Sequence, residues 1–264
     1  MSSLTSVALT IIVFYGLLVT IVHLAQERLL FFPSGSDPAL ESRYQEFAIS
    51  FSTGEVELHG WFFPADEATQ PTLVFYGGNG QEISTSIAGL RALGDFSYIL
   101  INYRGYGRST GAPSETDLKS DALLILDSLE AQNRISIANT VIMGRSLGTG
   151  IATHVAANRE TKGLILISPF SSIEAIASDI YFYLPVRWLI RHPFRSINDV
   201  AEISAPTLII KAENDQIVPE RYTDQLIEAW QGPLEVIKLA GTNHNYIETS
   251  KYLKVVDQFI RHLE

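Results

Sequence analysis

The sequence predicts an α/β fold: an eight-stranded, mostly parallel sheet with helices on both faces and a short helical cap, preceded by one N-terminal transmembrane helix. Three observations carry this. From Pro71 onward, short apolar runs without polar alternation are separated by helical stretches, the pattern of a parallel sheet covered on both faces. A 264-residue chain with 46% hydrophobic and 18% charged residues holds one large ordered domain. Finally, no charged side chain occurs from Met1 to Gln26.

That uncharged run is the first element. Leu4–Ala25 as helix reaches roughly 33 Å at about 1.5 Å per residue, enough to cross a bilayer core. A cleaved signal peptide is the competing reading. It wants a basic start and a small-x-small cleavage site, whereas this run has no Lys or Arg and puts His23 near its end. The expectation is therefore a single-pass anchor over residues 1–26, with the main domain over 27–264. Arg28 and Arg43 lie on the C-terminal side, which leans toward a cytoplasmic domain, diluted by Glu27, Asp37 and Glu41.

After a connector, Phe31–Pro38, Tyr44–Phe51 and Val56–Phe63 read as strands of a hairpin turning at Thr53-Gly54-Glu55. Strands then alternate with helices: Thr72–Tyr76, helix Ile83–Leu93, Tyr98–Asn102, helix Ser114–Ala131, Val141–Met143, helix Leu147–Ala157 and Leu164–Ile167. Ser114 followed by Asp117 resembles a capping box. The series closes with Thr207–Lys211, helix Glu220–Trp230, Leu234–Leu239 and helix Tyr246–Leu263. Between Ile167 and Thr207 lie about forty residues where one helix would suffice, so residues 169–205 are expected to form a cap over the site.

In an open parallel sheet, ligands sit beyond the carboxyl ends of the strands, so the chemistry should follow each strand. After Val141–Met143 comes Gly144-Arg145-Ser146-Leu147-Gly148, a G-x-S-x-G pattern set between strand and helix. A serine hydroxyl is a weak nucleophile. It must be lifted clear of the backbone by a strained turn, with flanking positions small enough to pack on each other. It also needs a general base and an acid to orient that base. Of the six histidines, only His244 follows the last strand in a glycine-containing loop. His154 would point away from the turn, and His192 lies in the cap with nothing to fix it. Asp215 follows the penultimate strand, with Glu213 as runner-up. Backbone N–H groups of Leu147 and of Asn79, within Gly77-Gly78-Asn79-Gly80, are the candidates for stabilising an oxyanion. A phosphate-loop reading of these glycines fails for want of a following Gly-Lys-Ser/Thr.

With these residues in hand, the chain resembles the α/β-hydrolase superfamily over residues 27–264, and within it the membrane-anchored α/β-hydrolase-domain serine hydrolases. The carrying segments are Tyr76–Gly80, Asn102-Tyr103-Arg104-Gly105-Tyr106-Gly107-Arg108-Ser109, Gly144–Gly148, Ser168-Pro169-Phe170, the Asp215 and His244 loops, and Gln26–Pro33. The resemblance implies an α/β-hydrolase fold and a Ser-His-Asp hydrolase acting on an ester, thioester or amide, with depalmitoylating thioesterases among the relatives. Two departures stand out: Gly77-Gly78-Asn79 where the family usually has His-Gly-Asn, and Lys211-Ala212 where it often has His-Gly.

The expected partners are a small acyl or lipid substrate and the membrane. A net charge of −10 argues against nucleic acid, and no cofactor or metal is implied. The absence of cysteine excludes thiolate chemistry. The alternatives are a catalytically silent membrane-tethered module and a serine peptidase of the same fold.

Overall fold

The computed structural model describes residues 3–67, 69–245 and 249–263. Helix α1 spans Ser3–Leu30, four residues past the expected end of the anchor. Its mean hydropathy reaches 2.4, and among the described residues it is the one helix long and apolar enough to cross a membrane. A short helix α2, Pro38–Arg43, follows where the sequence reading assigned no element between the connector and the first strand. Its cause is local. The Asp37 carboxylate accepts hydrogen bonds from the Ala39 and Leu40 N–H groups (2.8 and 3.3 Å), and Pro38 opens the first turn. Strand β1 is correspondingly later than expected, Ala48–Thr53, because its partner β2, Val56–Phe63, pairs with it only from Ala48 opposite Trp61.

The remaining elements alternate as the pattern requires: β3 Thr72–Tyr76, α3 Ile87–Arg91, β4 Ser97–Ile101, α4 Glu115–Ala131, β5 Thr140–Arg145, α5 Leu147–Asn158 and β6 Gly163–Ile167. After the cap come β7 Thr207–Ala212, α8 Glu220–Ala229, β8 Leu234–Leu239 and α9 Thr249–His262. The expected helix at Ile83 begins as one tight 3-10 turn, Ile83–Ser86, before α3. The expected first residue of the last helix, Tyr246, lies outside the described residues, as do Met1 and Ser2 at the start of the uncharged run. Ser114 caps α4, its hydroxyl accepting from the Asp117 N–H at 3.1 Å.

The eight strands form one sheet in the order β1-β2-β4-β3-β5-β6-β7-β8, antiparallel at the hairpin and parallel from β4 to β8. Side chains alternate across it. In β5, Ile142 faces the layer of α4, α5 and α8, while Val141 and Met143 face α3 and α9. All of Val141, Ile142 and Met143 are buried, which is why no polar residue interrupts the run.

The segment between β6 and β7 carries two short helices, α6 Ile173–Ile180 and α7 Val186–Leu189, then two 3-10 turns. The Ser172 hydroxyl caps α6 by accepting from Ala175 N–H at 3.0 Å. The Phe194 N–H donates to the Glu115 carboxylate at 2.7 Å, tying the cap to α4.

Gly60 marks the tightest approach in the hairpin. A Cβ there would lie 2.1 Å from the Leu100 carbonyl oxygen, and both atoms belong to fixed strands. Gly60→Ala is expected to destabilise the fold by about 1–3 kcal/mol, as overpacking does, read as a lowered denaturation midpoint. An unchanged midpoint would mean that β2 and β4 can separate without cost.

Candidate active site

Ser146 joins β5 to α5 with φ 49° and ψ −120°, a left-handed backbone that a residue with a side chain adopts only under constraint. Its surroundings supply that constraint. A Cβ on Gly144 would lie 2.5 Å from the Gly148 carbonyl oxygen, and one on Gly148 would lie 2.1 Å from that of Tyr76. Strand, turn and helix can therefore close only with glycine at both positions. The Ser146 N–H donates to Ile167 O on β6 (2.9 Å), and its own carbonyl accepts from the Thr149 N–H and hydroxyl (2.8 and 2.6 Å).

The structure brings Ser146, His244 and Asp215 together. Ser146 Oγ lies 2.8 Å from His244 Nε2, and His244 Nδ1 lies 2.9 and 2.8 Å from the two Asp215 oxygens. An ionised carboxylate only accepts, so Nδ1 carries the proton and Nε2 is free to accept from the serine hydroxyl. Asp215 Oδ1 also accepts from the Ile217 and Val218 N–H groups at 3.0 and 2.7 Å. Burial pushes this carboxyl up, but the hydrogen bonds from His244 and from Val218 N–H outweigh it and hold the group below its usual range.

The other sequence candidates fall elsewhere. Glu213 accepts from Gly241 N–H at 2.8 Å, so it braces the loop after β8 and leaves His244 to Asp215. Lys211 turns away from Asp215, its ammonium pairing with Asp224 at 2.6 Å and Glu220 at 2.5 Å. His192, which nothing in the sequence fixed, is buried. Its ring packs edge-on against Phe31 with centroids 5.2 Å apart, and its Nδ1 accepts from Glu115 N–H. His154 sits beside Asp199 on the outer side of α5. Among the described residues, no group of three His, Asp or Glu side chains is disposed to hold a metal ion.

Asn79 and Ser146 line one open cavity of about 490 Å³, together with Gly78, Arg145 and His244. Leu147 follows at the first turn of α5, its side chain buried below. The Asn79 side chain is held on three sides: Nδ2 donates to Leu30 O (2.5 Å), and Oδ1 accepts from Phe32 N–H (3.1 Å) and the Tyr106 hydroxyl (2.8 Å).

Sequence reasoning missed several supports of this loop. Tyr106 and Tyr103 brace it from the segment after β4, the Tyr103 hydroxyl donating to Gly77 O at 2.8 Å. Asn102 reaches the same loop through Ile83 N–H and Glu82. Gln81 accepts from Gly78 N–H, and Arg145 donates to His244 O at 3.0 Å. The one available signal was the Asn-Tyr-Arg-Gly-Tyr-Gly stretch itself, whose contacts span 19 to 27 residues of sequence.

An open parallel sheet with a serine at a strained strand–helix apex, facing histidine and aspartate from the last two strand ends, defines a class: hydrolases built on the α/β plan. The comparisons agree. A model of the serine aminopeptidase S33 family matches residues 83–199. An uncharacterised protein of Mycobacterium tuberculosis is 32% identical over 251 residues, covering 92% of this chain and 88% of its own. The α/β-hydrolase domain-containing protein WAV2 of Arabidopsis thaliana is 30% identical over 231 residues, covering 76% and 74%. Among solved structures, an acetyl xylan esterase from Paenibacillus sp. R4 superposes with TM-score 0.65 at 15% identity, over 88% of this chain and 97% of that one. The chain belongs to the α/β-hydrolase superfamily, and it is a hydrolase.

The lowered Asp215 carboxyl gives a pH signature. Stability from such a group is full above its unfolded value, about 3.9, and is lost as pH falls through the lower folded value. Asp215→Asn is expected to lower the melting temperature at neutral pH, with the gap to the unaltered protein closing in acid below about pH 4. A gap independent of pH would show that the carboxylate charge is not what His244 and Val218 hold.

Proposed function

We propose that this protein is a membrane-anchored serine hydrolase that cleaves an acyl ester or thioester, on a lipid or a lipidated substrate, through an acyl-enzyme. The observation that carries the proposal is the unbroken line from Ser146 Oγ to His244 Nε2 (2.8 Å) and from His244 Nδ1 to Asp215 (2.8 Å).

In this reading Ser146 Oγ attacks the acyl carbonyl as its proton passes to His244 Nε2, and Asp215 holds the resulting imidazolium. The Leu147 and Asn79 N–H groups stabilise the tetrahedral oxyanion, a role worth about 10²–10³ in rate per donor in comparable sites. The leaving alcohol or thiol takes the proton from His244. Water then repeats the sequence on the acyl-enzyme and releases the acid.

The membrane part of the proposal rests on α1, uncharged before Glu27 and unburied along its apolar window. Arg28, in the last turn of α1, and Arg43 beyond it favour a cytoplasmic catalytic domain. The substrate class follows from this address and from the apolar cavity between α1 and the cap. A short cap favours small acyl groups over long peptides, and peptide cleavage is the alternative outcome.

In detergent-solubilised full-length protein, Ser146→Ala is expected to abolish labelling by a fluorophosphonate probe and to lower p-nitrophenyl butyrate turnover by at least about 10³-fold. His244→Ala should be nearly as damaging, and His192→Ala should leave turnover near its original level. Labelling that survives Ser146→Ala, or loss of turnover in His192→Ala alone, would overturn the residue roles. An acyl-chain series on paired esters and thioesters then ranks the substrates.

A further inference from the structure

The N-terminal helix is not free along its length. Tyr15 donates its hydroxyl to Tyr183 O in the cap at 2.8 Å. Leu18 and Val22 line an apolar cavity of about 350 Å³ whose opposite wall is the cap, including Ile173, Tyr181, Leu184 and Val186. Beyond Val22 the contacts turn polar. His23 Nδ1 and Gln26 Nε2 lie 3.0 and 2.8 Å from Leu189 O, Gln26 accepts from Arg191 N–H at 2.8 Å, and Glu27 pairs with the Arg191 guanidinium at 3.2 Å.

This register sets a length problem. The part of α1 that precedes Tyr15, Ser3–Phe14, covers roughly 18 Å at about 1.5 Å per residue. The hydrocarbon core of a bilayer is about 30 Å thick. Closing the difference takes about eight further residues, Tyr15–Val22, and the polar contacts begin at His23, the next residue. If α1 spans, the stretch it shares with the cap lies inside hydrocarbon.

The cap's outer face has the chemistry for that place. Ile180, Tyr181, Phe182, Tyr183 and Trp188 are all exposed, Phe182 at 82% and Trp188 at 89%. A contiguous aromatic and aliphatic face of this kind needs a partner other than water. Tyr15 satisfies its hydroxyl within the protein, as hydrocarbon demands. Trp188 adjoins Leu189, at the level of His23 and Gln26, where indoles favour the membrane–water boundary. Arg187, largely exposed, and Arg191 lie at that same level, where long cationic side chains reach headgroups.

We infer that the cap is itself seated in the near leaflet, with the Ile180–Tyr183 turn among lipid acyl chains and Trp188 near the glycerol level. The inference rests on reading α1 as a membrane span and is independent of the residues around Ser146.

The test uses full-length protein reconstituted in phosphatidylcholine vesicles, with bromine on the lipid either at mid-chain or near the headgroup. Trp61 and Trp230, the other two tryptophans, give the background in Trp188→Phe, a change at an exposed position. In the double variant Phe182→Trp, Trp188→Phe, the added emission should be blue-shifted and quenched most strongly by mid-chain bromine. Trp188 of the unaltered protein should be quenched more by the shallow label. Washing the vesicles in alkaline carbonate separates the two ways to fail. Protein that stays with the vesicles while residue 182 resists both bromines would overturn the seated cap and leave the anchor standing. Protein released by carbonate would overturn the anchor and the seated cap together.

Discussion

The packing on which the rest of the site depends is the close approach of β5, α5 and the end of β3 at two glycines. Gly144 ends the apolar run of β5 against the Gly148 carbonyl in the first turn of α5, and Gly148 in turn lies against the Tyr76 carbonyl at the end of β3, so neither tolerates a Cβ. Their approach forces the intervening residue through a tight, left-handed turn, and that residue is Ser146 at φ 49°. Holding a side chain there costs on the order of 1–3 kcal/mol and persists only where the surroundings over-determine it. Here β5 is central in the sheet, paired with β3 and β6, and α5 packs back across both neighbours. The sheet supplies what the turn spends.

A second layer of polar contacts holds the opposite wall of the cavity. Asn79 has its side chain held by Tyr106, Phe32 and Leu30, so its orientation is fixed before any ligand arrives. Gly107, at φ 54°, lets the chain fold back under Asn102, where a Cβ would lie 2.2 Å from the amide nitrogen. The Asn102–Arg108 stretch is thus a scaffold for the Gly77–Glu82 loop. The donors proposed to face an oxyanion gain their placement from residues that never touch it, which is the form electrostatic preorganisation takes.

Much of this was legible in the sequence because in a parallel sheet the order of strands and the places of function are linked. Residues just after strand ends converge, so Ser146, Asp215 and His244 could be read from position alone. Glu213 and Asp215 could not be separated in that way, since both follow β7. What divides them is which way each turn residue faces, and Glu213 is drawn off by the Gly241 amide. Lys211 was ambiguous for a similar reason, its acidic partners Glu220 and Asp224 lying a helix away. The particular contacts of Tyr106 and Arg145 were silent because a side chain at a strand end or in a turn has no periodic signature. Arg145 meets the His244 carbonyl across 99 residues of chain. The late start of β1 followed from a tertiary pairing, and α2 from a cap that was present in the sequence as Asp37-Pro38 and went unread.

The same connector joins the two environments of the molecule. Leu30 closes α1 and lines the apolar cavity shared with the cap, while its carbonyl accepts the hydrogen bond from Asn79, which lines the polar cavity around Ser146. One residue therefore separates a wall of hydrocarbon from a wall of N–H groups and a carboxylate-backed imidazole. A solute wholly polar or wholly apolar would be matched by only one of these cavities. The acyl substrate proposed above has one part of each character. Because the helix end is hydrogen-bonded to the loop rather than linked by a flexible tether, the spacing of the two cavities cannot drift as a tethered domain's would. In the proposed reaction the scissile bond would therefore lie at a fixed distance from the end of α1, set by the Leu30–Asn79 hydrogen bond.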